Sequence, residues 1–150
     1  MASALIILCV ACDETQHAEY ATYSAAERAG AVKRGWVPAF VPLSATEIAE
    51  AHDLDINTQR LRFRAPMEDL QAMSSKLVPI SLEEARSRAI KSPALSGDWP
   101  RELAPTSAAL TRGGSLRLYR TRAAAEGSEC LAIDSARKVV YAWSCVAPAT

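Results

Sequence analysis

The hexapeptide His52-Asp53-Leu54-Asp55-Ile56-Asn57 gathers the densest coordinating chemistry in this chain, one imidazole and several side-chain oxygens. Closely spaced carboxylates in a turn can hold a hard cation such as Ca²⁺. The segment has neither the Gly nor the distal Glu of a known calcium loop, and Asp and Asn side chains commonly cap local backbone in turns. A site formed by His52, Asp53, Asp55 and Asn57 is therefore weighed against backbone capping, and the sequence favours capping without a bound metal.

Nucleophilic catalysis finds little support in the two histidines of the chain. His17 falls in a segment expected to be a tether, so a Ser–His–Asp unit would have to combine His52 with a distant serine. No G-x-S-x-G motif marks such a serine, and the adjacent Glu83 and Glu84 are typical of an exposed helix start. The sequence predicts no catalytic residue and no cofactor, and it favours a binding protein over an enzyme.

Residues 58–64 alternate polar residues with Leu61 and Phe63, which is typical of a strand with one buried face. Its arginines would share the other face and could meet phospholipid headgroups or an acidic protein. Glutamates of neighbouring elements are the alternative partners. A tryptophan in the long Pro-containing segment 92–111 offers a second contact. The predicted interaction surface comprises Arg60, Arg62, Arg64 and Trp99, with Arg117 or Arg120 extending it.

The first eleven residues have the character of a secretory signal. The apolar block from Leu5 to Val10 is far shorter than the roughly 20 residues that cross a bilayer. Small residues precede a plausible cut between Ala11 and Cys12. The alternative is a buried strand of a cytosolic domain, but the polar residues that follow favour a tether. We expect residues 1–11 to be removed and residues 12–23 to form the tether.

The box Cys9-Val10-Ala11-Cys12 resembles the signal of bacterial lipoproteins, in which Leu-(Ala/Ser)-(Gly/Ala)-Cys is cut before a Cys that then carries lipid. Cys9 replaces the usual Leu, and no Lys or Arg precedes the apolar block, which a start codon assigned too far downstream would explain. The resemblance implies a lipid anchor on Cys12 at the periplasmic face of a bacterial membrane. Asp13 resembles the signal that retains lipoproteins on the inner membrane.

The four cysteines can be assigned on this basis. Loss of Cys9 and lipidation of Cys12 would leave Cys130 and Cys145 as an even pair. In an oxidising periplasm such a pair can close a disulfide worth about 2–4 kcal/mol, and the alternative is two separate buried thiols. A zinc site is disfavoured, because the single C-x-x-C has no second pair to complete four ligands.

The composition is that of one ordinary globular domain. The 150 residues are 49% hydrophobic and 23% charged, which is enough to bury a core. The 17 basic and 17 acidic residues give a formal net charge of zero, and this balance argues against nucleic acid as a partner.

Capping boxes predict three helices, because a Ser and a Glu three residues later satisfy backbone amides reciprocally. These helices begin at Ser24, Ser44 and Ser81, and the second would place His52 at its C-terminus. A fourth helix begins at Pro66.

Strands are predicted mostly late in the chain. They cover residues 58–64 and 115–122, followed by a hairpin of residues 129–133 and 139–143. Early helices and late strands predict an α+β class, a small antiparallel sheet with helices packed on one face. Residues 24–150 would form this single domain.

Residues 34–64 resemble a loose group of uncharacterised bacterial envelope proteins, many of them lipoproteins. The resemblance rests on three segments, R-G-W-x-P from Arg34, P-x-S-A from Pro42 and H-D-x-D-x-N from His52. Ile56 stands where Thr is common in that group. The resemblance implies a compartment and a fold family and no particular chemistry, and Trp36 is expected in the core.

These inferences favour a membrane-tethered periplasmic binding module whose partner is another envelope protein. Two alternatives stay open. One is a small hydrolase or metal-dependent site around His52. The other is an immunity or inhibitor lipoprotein that blocks a toxin acting on the envelope.

Overall fold

The computed structural model describes residues 15–55, 57–88, 116–122 and 128–145. This part of the chain forms one antiparallel sheet of seven strands together with three short helices. In chain order the elements are β1 (Thr15–Thr22), α1 (Tyr23–Arg28), β2 (Thr46–Asp53), β3 (Thr58–Arg64), α2 (Met67–Ser74), β4 (Val78–Pro79), α3 (Leu82–Ser87), β5 (Leu116–Arg120), β6 (Ser128–Asp134) and β7 (Val139–Cys145). Across the sheet the order is β1-β2-β3-β7-β6-β5-β4. The predicted antiparallel sheet is confirmed, and sheet outweighs helix in the described residues.

The centre of the sheet is the predicted hairpin of β6 and β7, joined to β3. Ile133 pairs with Val140 across the hairpin, and Phe63 pairs with Val140 on the other side of β7. The connecting turn is fixed by Asp134, whose Oδ1 accepts hydrogen bonds from the backbone N–H groups of Ala136 and Arg137 at 3.0 and 3.1 Å. Such local capping is typical of Asp in turns.

Both faces of the central strands are buried. Because side chains alternate along a strand, β6 and β7 contribute to two separate apolar clusters. The first face is defined by Leu131, Ile133, Val140 and Ala142. The second face is defined by Cys130, Ala132, Tyr141 and Trp143.

The helices are divided between these two faces. Ala26 of α1 belongs to the first cluster, as do Leu70 and Met73 of α2, whereas Ala85 of α3 belongs to the second. The prediction that helices pack on one face is therefore not confirmed. Strands that are apolar on both sides need cover on both sides, and α3 supplies part of that cover for the second face.

The prediction of residues 12–23 as a tether is wrong for Thr15–Thr22, which form strand β1. Residues 16–20 pair without interruption with residues 48–52 of β2. The segment is polar because β1 is an edge strand, with Gln16, His17 and Glu19 exposed. Tyr20 packs against the first cluster.

The prediction of a helix from Ser44 is also wrong, because Thr46–Asp53 is strand β2, paired with β1 and β3. Ser44 instead donates a hydrogen bond to the carboxylate of Asp69 in α2. Pairing on both edges outweighs the helical preference of this Ala- and Glu-rich segment. His52 consequently lies in a strand, not at a helix end.

The other helices follow the sequence more closely. Thr22 caps α1, its Oγ1 accepting a hydrogen bond from the Ala25 amide at 3.2 Å, and the helix ends near Gly30, whose φ is +78°. Ser81 caps α3 by accepting a hydrogen bond from the Glu84 amide at 3.0 Å. In the described ranges no helix is long and apolar enough to span a membrane.

Candidate functional site

Strand β2 places Glu50 and His52 side by side on the first face of the sheet. Residues two apart on a strand point the same way, and Ile48, one step further, belongs to the first cluster. Nδ1 of His52 lies 2.8 Å from Oε2 of Glu50. The exposed fractions are 1% for Glu50 and 4% for His52, so the pair is enclosed by the protein.

Trp36 covers His52. Their ring centroids are 3.9 Å apart with planes inclined by 20°, a stacked arrangement. The guanidinium of Arg34 lies on Trp36, with its Cζ atom 4.0 Å from the centroid of the indole ring. Such cation–π contacts are favourable. Successive contacts thus run from the surface into the core through four side chains, those of Arg34, Trp36, His52 and Glu50. We call these four side chains the stacked column.

The backbone before Trp36 is shaped to hold the column. Nη2 of Arg34 donates a hydrogen bond to the carbonyl of Ala29 at 2.8 Å. Gly30 and Gly35 adopt positive φ of +78° and +82°, a region that favours glycine. A side chain on Gly30 would also meet Nη1 of Arg34 at 3.0 Å. The glycines therefore set the chain path that brings Arg34 over Trp36.

The electrostatics of the column are set by burial. Burial raises the pKa of Glu50, and the hydrogen bond with His52 offsets part of that rise. Burial and then the nearby Glu50 raise the pKa of Tyr20, with Arg34 acting in the opposite direction. In the part of the chain that is described, Oε1 of Glu50 and Nε2 of His52 are buried without a hydrogen-bond partner.

This geometry limits the chemistry that the column could perform. Glu50 orients the imidazole through Nδ1, as the acidic member of a catalytic dyad does, and leaves Nε2 to exchange a proton with a ligand. Trp36 covers one face of the ring and Nε2 is buried, so a ligand could reach His52 only if the surrounding side chains moved. The column is therefore enclosed by the protein, and Nε2 of His52 has no hydrogen-bond partner among the described residues.

A second acid, Glu129, lies partly buried on the same face, three strands away. Glu129 of β6 accepts a hydrogen bond from Nε2 of Gln59 at 2.8 Å, and Ser144 of β7 accepts one from the Gln59 amide at 2.9 Å. Burial raises the pKa of Glu129 to about 7, while the bond from Gln59 opposes the rise. His52 pairs with Gln59 in the strand register, so a polar row crosses four strands at this end of the sheet.

The arginines of β3 lie on the second face of the sheet. Leu61 and Phe63 are 1% and 0% exposed, and the arginines of β3 point the other way, as the alternation predicted. The side chain of Arg64 is exposed and bonds Oε2 of Glu47 at 2.9 Å. Burial lowers the pKa of Arg60. We call Arg60, Arg62 and Arg64 the arginine face.

The two arginines of β5 do not extend this face. Arg117 pairs with Ile133 and so lies on the first face. Arg120 lies on the second face but is 3.7 Å from Glu84 of α3, which also pairs with Arg88. Both lie beyond β7 and β6 from the arginine face.

The predicted cluster at the β2–β3 turn is not brought together. His52 is directed to Glu50 on the first face, while Asp53 follows on the opposite face. Oδ1 of Asp53 accepts a hydrogen bond from the Asp55 amide at 3.0 Å, which is the capping role predicted for it. Asn57 is exposed with φ of +48°. Within the described ranges, no group of three or more His, Cys, Asp or Glu side chains is arranged to hold a metal.

The cysteine pair lies as the sequence suggested. Cys130 and Cys145 are neighbours on β6 and β7, with Cα atoms 5.7 Å apart and sulfur atoms within disulfide-bonding distance. Both are buried. This geometry is compatible with the predicted disulfide. The predicted lipidation site Cys12 and the predicted contact Trp99 lie outside the described residues.

Sequence reasoning missed Glu50, Glu129 and the stacking of Arg34 on Trp36. An alternating pattern from Ile48 to His52 was available, but the capping box at Ser44 favoured a helix. No local signal marks Glu129, because its partner Gln59 comes from a strand 70 residues earlier.

Comparison with known proteins gives one match. A family model described as the YbbD head domain matches residues 14–64, which is about a third of the chain and includes β1, α1, β2, β3, the stacked column and the arginine face. The search of curated proteins and the search of solved structures found no match. The matched region is the part of the chain in which both candidate sites lie.

Proposed function

We propose that this chain is a membrane-tethered binding module of the bacterial envelope that recognises an acidic partner protein through the arginine face. The observation that carries the proposal is the state of Arg62. No acidic side chain among the described residues pairs with it, whereas Arg64 is paired with Glu47. The guanidinium of an uncompensated arginine in mid-strand keeps its donors available, so it is a favourable contact for an external carboxylate.

The neighbours of Arg62 support this assignment. The residues directly opposite it are Ala49 on β2 and Tyr141 on β7, and neither carries a charge. Arg60 likewise stands between Ala51 and Trp143. Arginines beside small and aromatic residues are typical of the residues that dominate binding energy at protein interfaces.

The tether is the second part of the proposal. A lipid on Cys12 would hold β1 within a few residues of the bilayer, since β1 begins at Thr15. Attachment to a surface raises the local concentration of a partner in the same envelope. A modest affinity through a few arginines then suffices for association.

Photo-crosslinking in living cells tests the arginine face. A crosslinking amino acid replaces Glu47, whose side chain contacts Arg64 at the border of the arginine face, in one variant and Arg117, which lies on the opposite face, in a matched control. We expect a discrete adduct with an envelope protein from position 47 only. Adding Arg62→Glu to the position-47 variant should abolish that adduct. Equal labelling from both positions, or none from position 47, would contradict the proposal.

A lipid surface is the other acidic partner that this test must separate. Purified protein is mixed with vesicles of anionic phospholipid, and native protein is compared with Arg62→Glu and Arg117→Glu. The protein-partner proposal expects the same vesicle binding for both variants. A loss of vesicle binding that is specific to Arg62→Glu would assign the arginine face to the membrane and refute a protein partner.

A second candidate function is chemistry at His52, and one observation favours it. Glu50 holds Nδ1 of the imidazole while the buried Nε2 has no partner in the described part of the chain. Metal content after mild purification and hydrolysis of a panel of activated esters would be compared for native protein, His52→Gln and the control His17→Gln. Turnover or bound metal lost only in His52→Gln would support this function. Loss of stability alone would assign the column to structure.

A further inference from the structure

Strand β1 is a long edge, and from Gln16 to Tyr20 its outer side is not paired with another strand among the described residues. It contains eight residues and lies at one end of the sheet, whereas the opposite edge is the two-residue strand β4, which includes Pro79. Proline and shortness protect an edge against pairing with another chain. β1 has neither proline nor lysine, and its pairing with β2 is regular from Gln16 to Tyr20.

We propose that β1 pairs antiparallel with β1 of a second copy of this chain, which joins the two seven-stranded sheets into one. The occupant is inferred from the charge pattern of the strand. His17 and Glu19 are the ionisable residues exposed on its second face, and Ala18 lies between them. With Ala18 on the twofold axis, His17 of each copy lies directly opposite Glu19 of the partner subunit.

Backbone geometry restricts the registers that compete with this one. In an antiparallel ladder, alternate residues direct both N–H and C=O to the same side. A strand that pairs with itself must therefore match odd residues with odd ones and even with even. The neighbouring registers are those centred on His17 and on Glu19. The first brings the two imidazoles together and the second brings the two carboxylates together.

The other side of the strand is compatible with the same register. Tyr20 would lie opposite Gln16 of the partner subunit on the first face, and the two copies of Ala18 would meet at the axis. Small residues at the axis allow close approach of the two backbones. An imidazole opposite a carboxylate across an antiparallel pair is favourable, whereas two carboxylates or two imidazoles opposite one another are not. The register centred on Ala18 is thus the one that the side chains select.

This inference is independent of the arginine face, since it depends on the main chain of β1 and on two side chains of that strand. Pairing of β1 leaves β3 two strands away from the new interface. A monomer that still crosslinks from position 47 would refute the dimer and keep the proposed function.

The test measures the mass of the full chain, extracted in mild detergent, by size-exclusion chromatography with light scattering over a range of concentrations. Native protein should form a dimer. Glu19→Lys replaces the carboxylate that faces His17 with an ammonium group in both symmetric pairs and should raise the dimer dissociation constant by roughly thirtyfold. The double variant His17→Glu with Glu19→Lys places opposite charges in both pairs and should restore the dimer. Glu27→Lys, on the exposed side of α1, is the matched control.

Hydrogen exchange of the backbone amides from Gln16 to Tyr20 locates the interface. The amides that face outward should become protected as concentration rises in native protein and in the double variant, and should remain unprotected in Glu19→Lys. A monomer at all concentrations would overturn the proposal. So would a dimer that is insensitive to Glu19→Lys, or one that leaves these amides unprotected.

Discussion

Replacing Glu129 with Gln should stabilise the protein above neutral pH, because a buried carboxyl with a raised pKa is costly to ionise. Glutamine has nearly the same shape as glutamic acid, and its amide oxygen can still accept the hydrogen bond that Nε2 of Gln59 donates across 2.8 Å. The substitution therefore removes the charge and keeps the contact.

The magnitude follows from the shift in pKa. The Glu129 carboxyl moves from an ordinary value of 4.5 to about 7 in the folded protein, and each pKa unit corresponds to about 1.4 kcal/mol. The stabilising contribution of the protonated form is complete below pH 4.5 and is lost as pH rises through 7. Glu129 remains partly exposed, so we expect Glu129→Gln to gain about 2–3 kcal/mol relative to native protein between these limits.

Urea denaturation at pH 4.5 and pH 8 measures this difference. Native protein and Glu129→Gln should have similar free energies of unfolding at pH 4.5 and should differ by about 2–3 kcal/mol at pH 8. Glu27→Gln, at an exposed site, controls for the removal of a charge alone. A difference that is the same at both pH values, or a variant less stable than native protein at pH 8, would refute the reasoning.

Substitutions at three further positions test the packing of the column, the cysteine pair and the ion pair of the arginine face. Trp36→Ala should lower the free energy of unfolding by about 2 kcal/mol in thermal or urea unfolding. Trp36→Phe can still stack on His52 and should lose less than half of that free energy. Equal losses in the two variants would show that stacking on His52 does not contribute to stability. Cys145→Ser should lower the free energy of unfolding by about 3 kcal/mol, as expected for a disulfide that closes a loop of about 15 residues. A reductant should destabilise native protein but not this variant. No effect of reductant on native protein would argue against a formed disulfide. Arg64→Gln should cost less than about 1 kcal/mol, because its partner Glu47 is exposed, and high salt should shrink the difference; a larger loss would show that the contact is not a simple surface pair.

The strands that carry their own pattern could be predicted from the sequence. Leu61 and Phe63 alternate with arginines, and β3 has the bounds that this alternation indicates. The hairpin of β6 and β7 combines two apolar runs with a turn anchored by Asp134, so its signals are local. The disulfide-distance pair of Cys130 and Cys145 follows from that hairpin, because β6 and β7 are neighbours.

The strands β1 and β2 could not be predicted in the same way. Ser44 and Glu47 have the spacing of a capping box, and the following Ala-rich residues are good helix formers. The segment is a strand because β1 and β3 pair with both of its edges, and that information is not local. Since Glu50 and His52 share a face only when β2 is a strand, the stacked column was missed together with the strand.

The envelope location of the protein is the claim on which its proposed function depends, and the mass of the mature chain tests it most directly. Protein expressed from its native start in a bacterial host is extracted from membranes and analysed intact by mass spectrometry, beside the variants Cys9→Ser and Cys12→Ser. The account predicts loss of residues 1–11 and a lipid increment on Cys12, in native protein and in Cys9→Ser but not in Cys12→Ser. An intact N-terminus on soluble, unlipidated protein would contradict it.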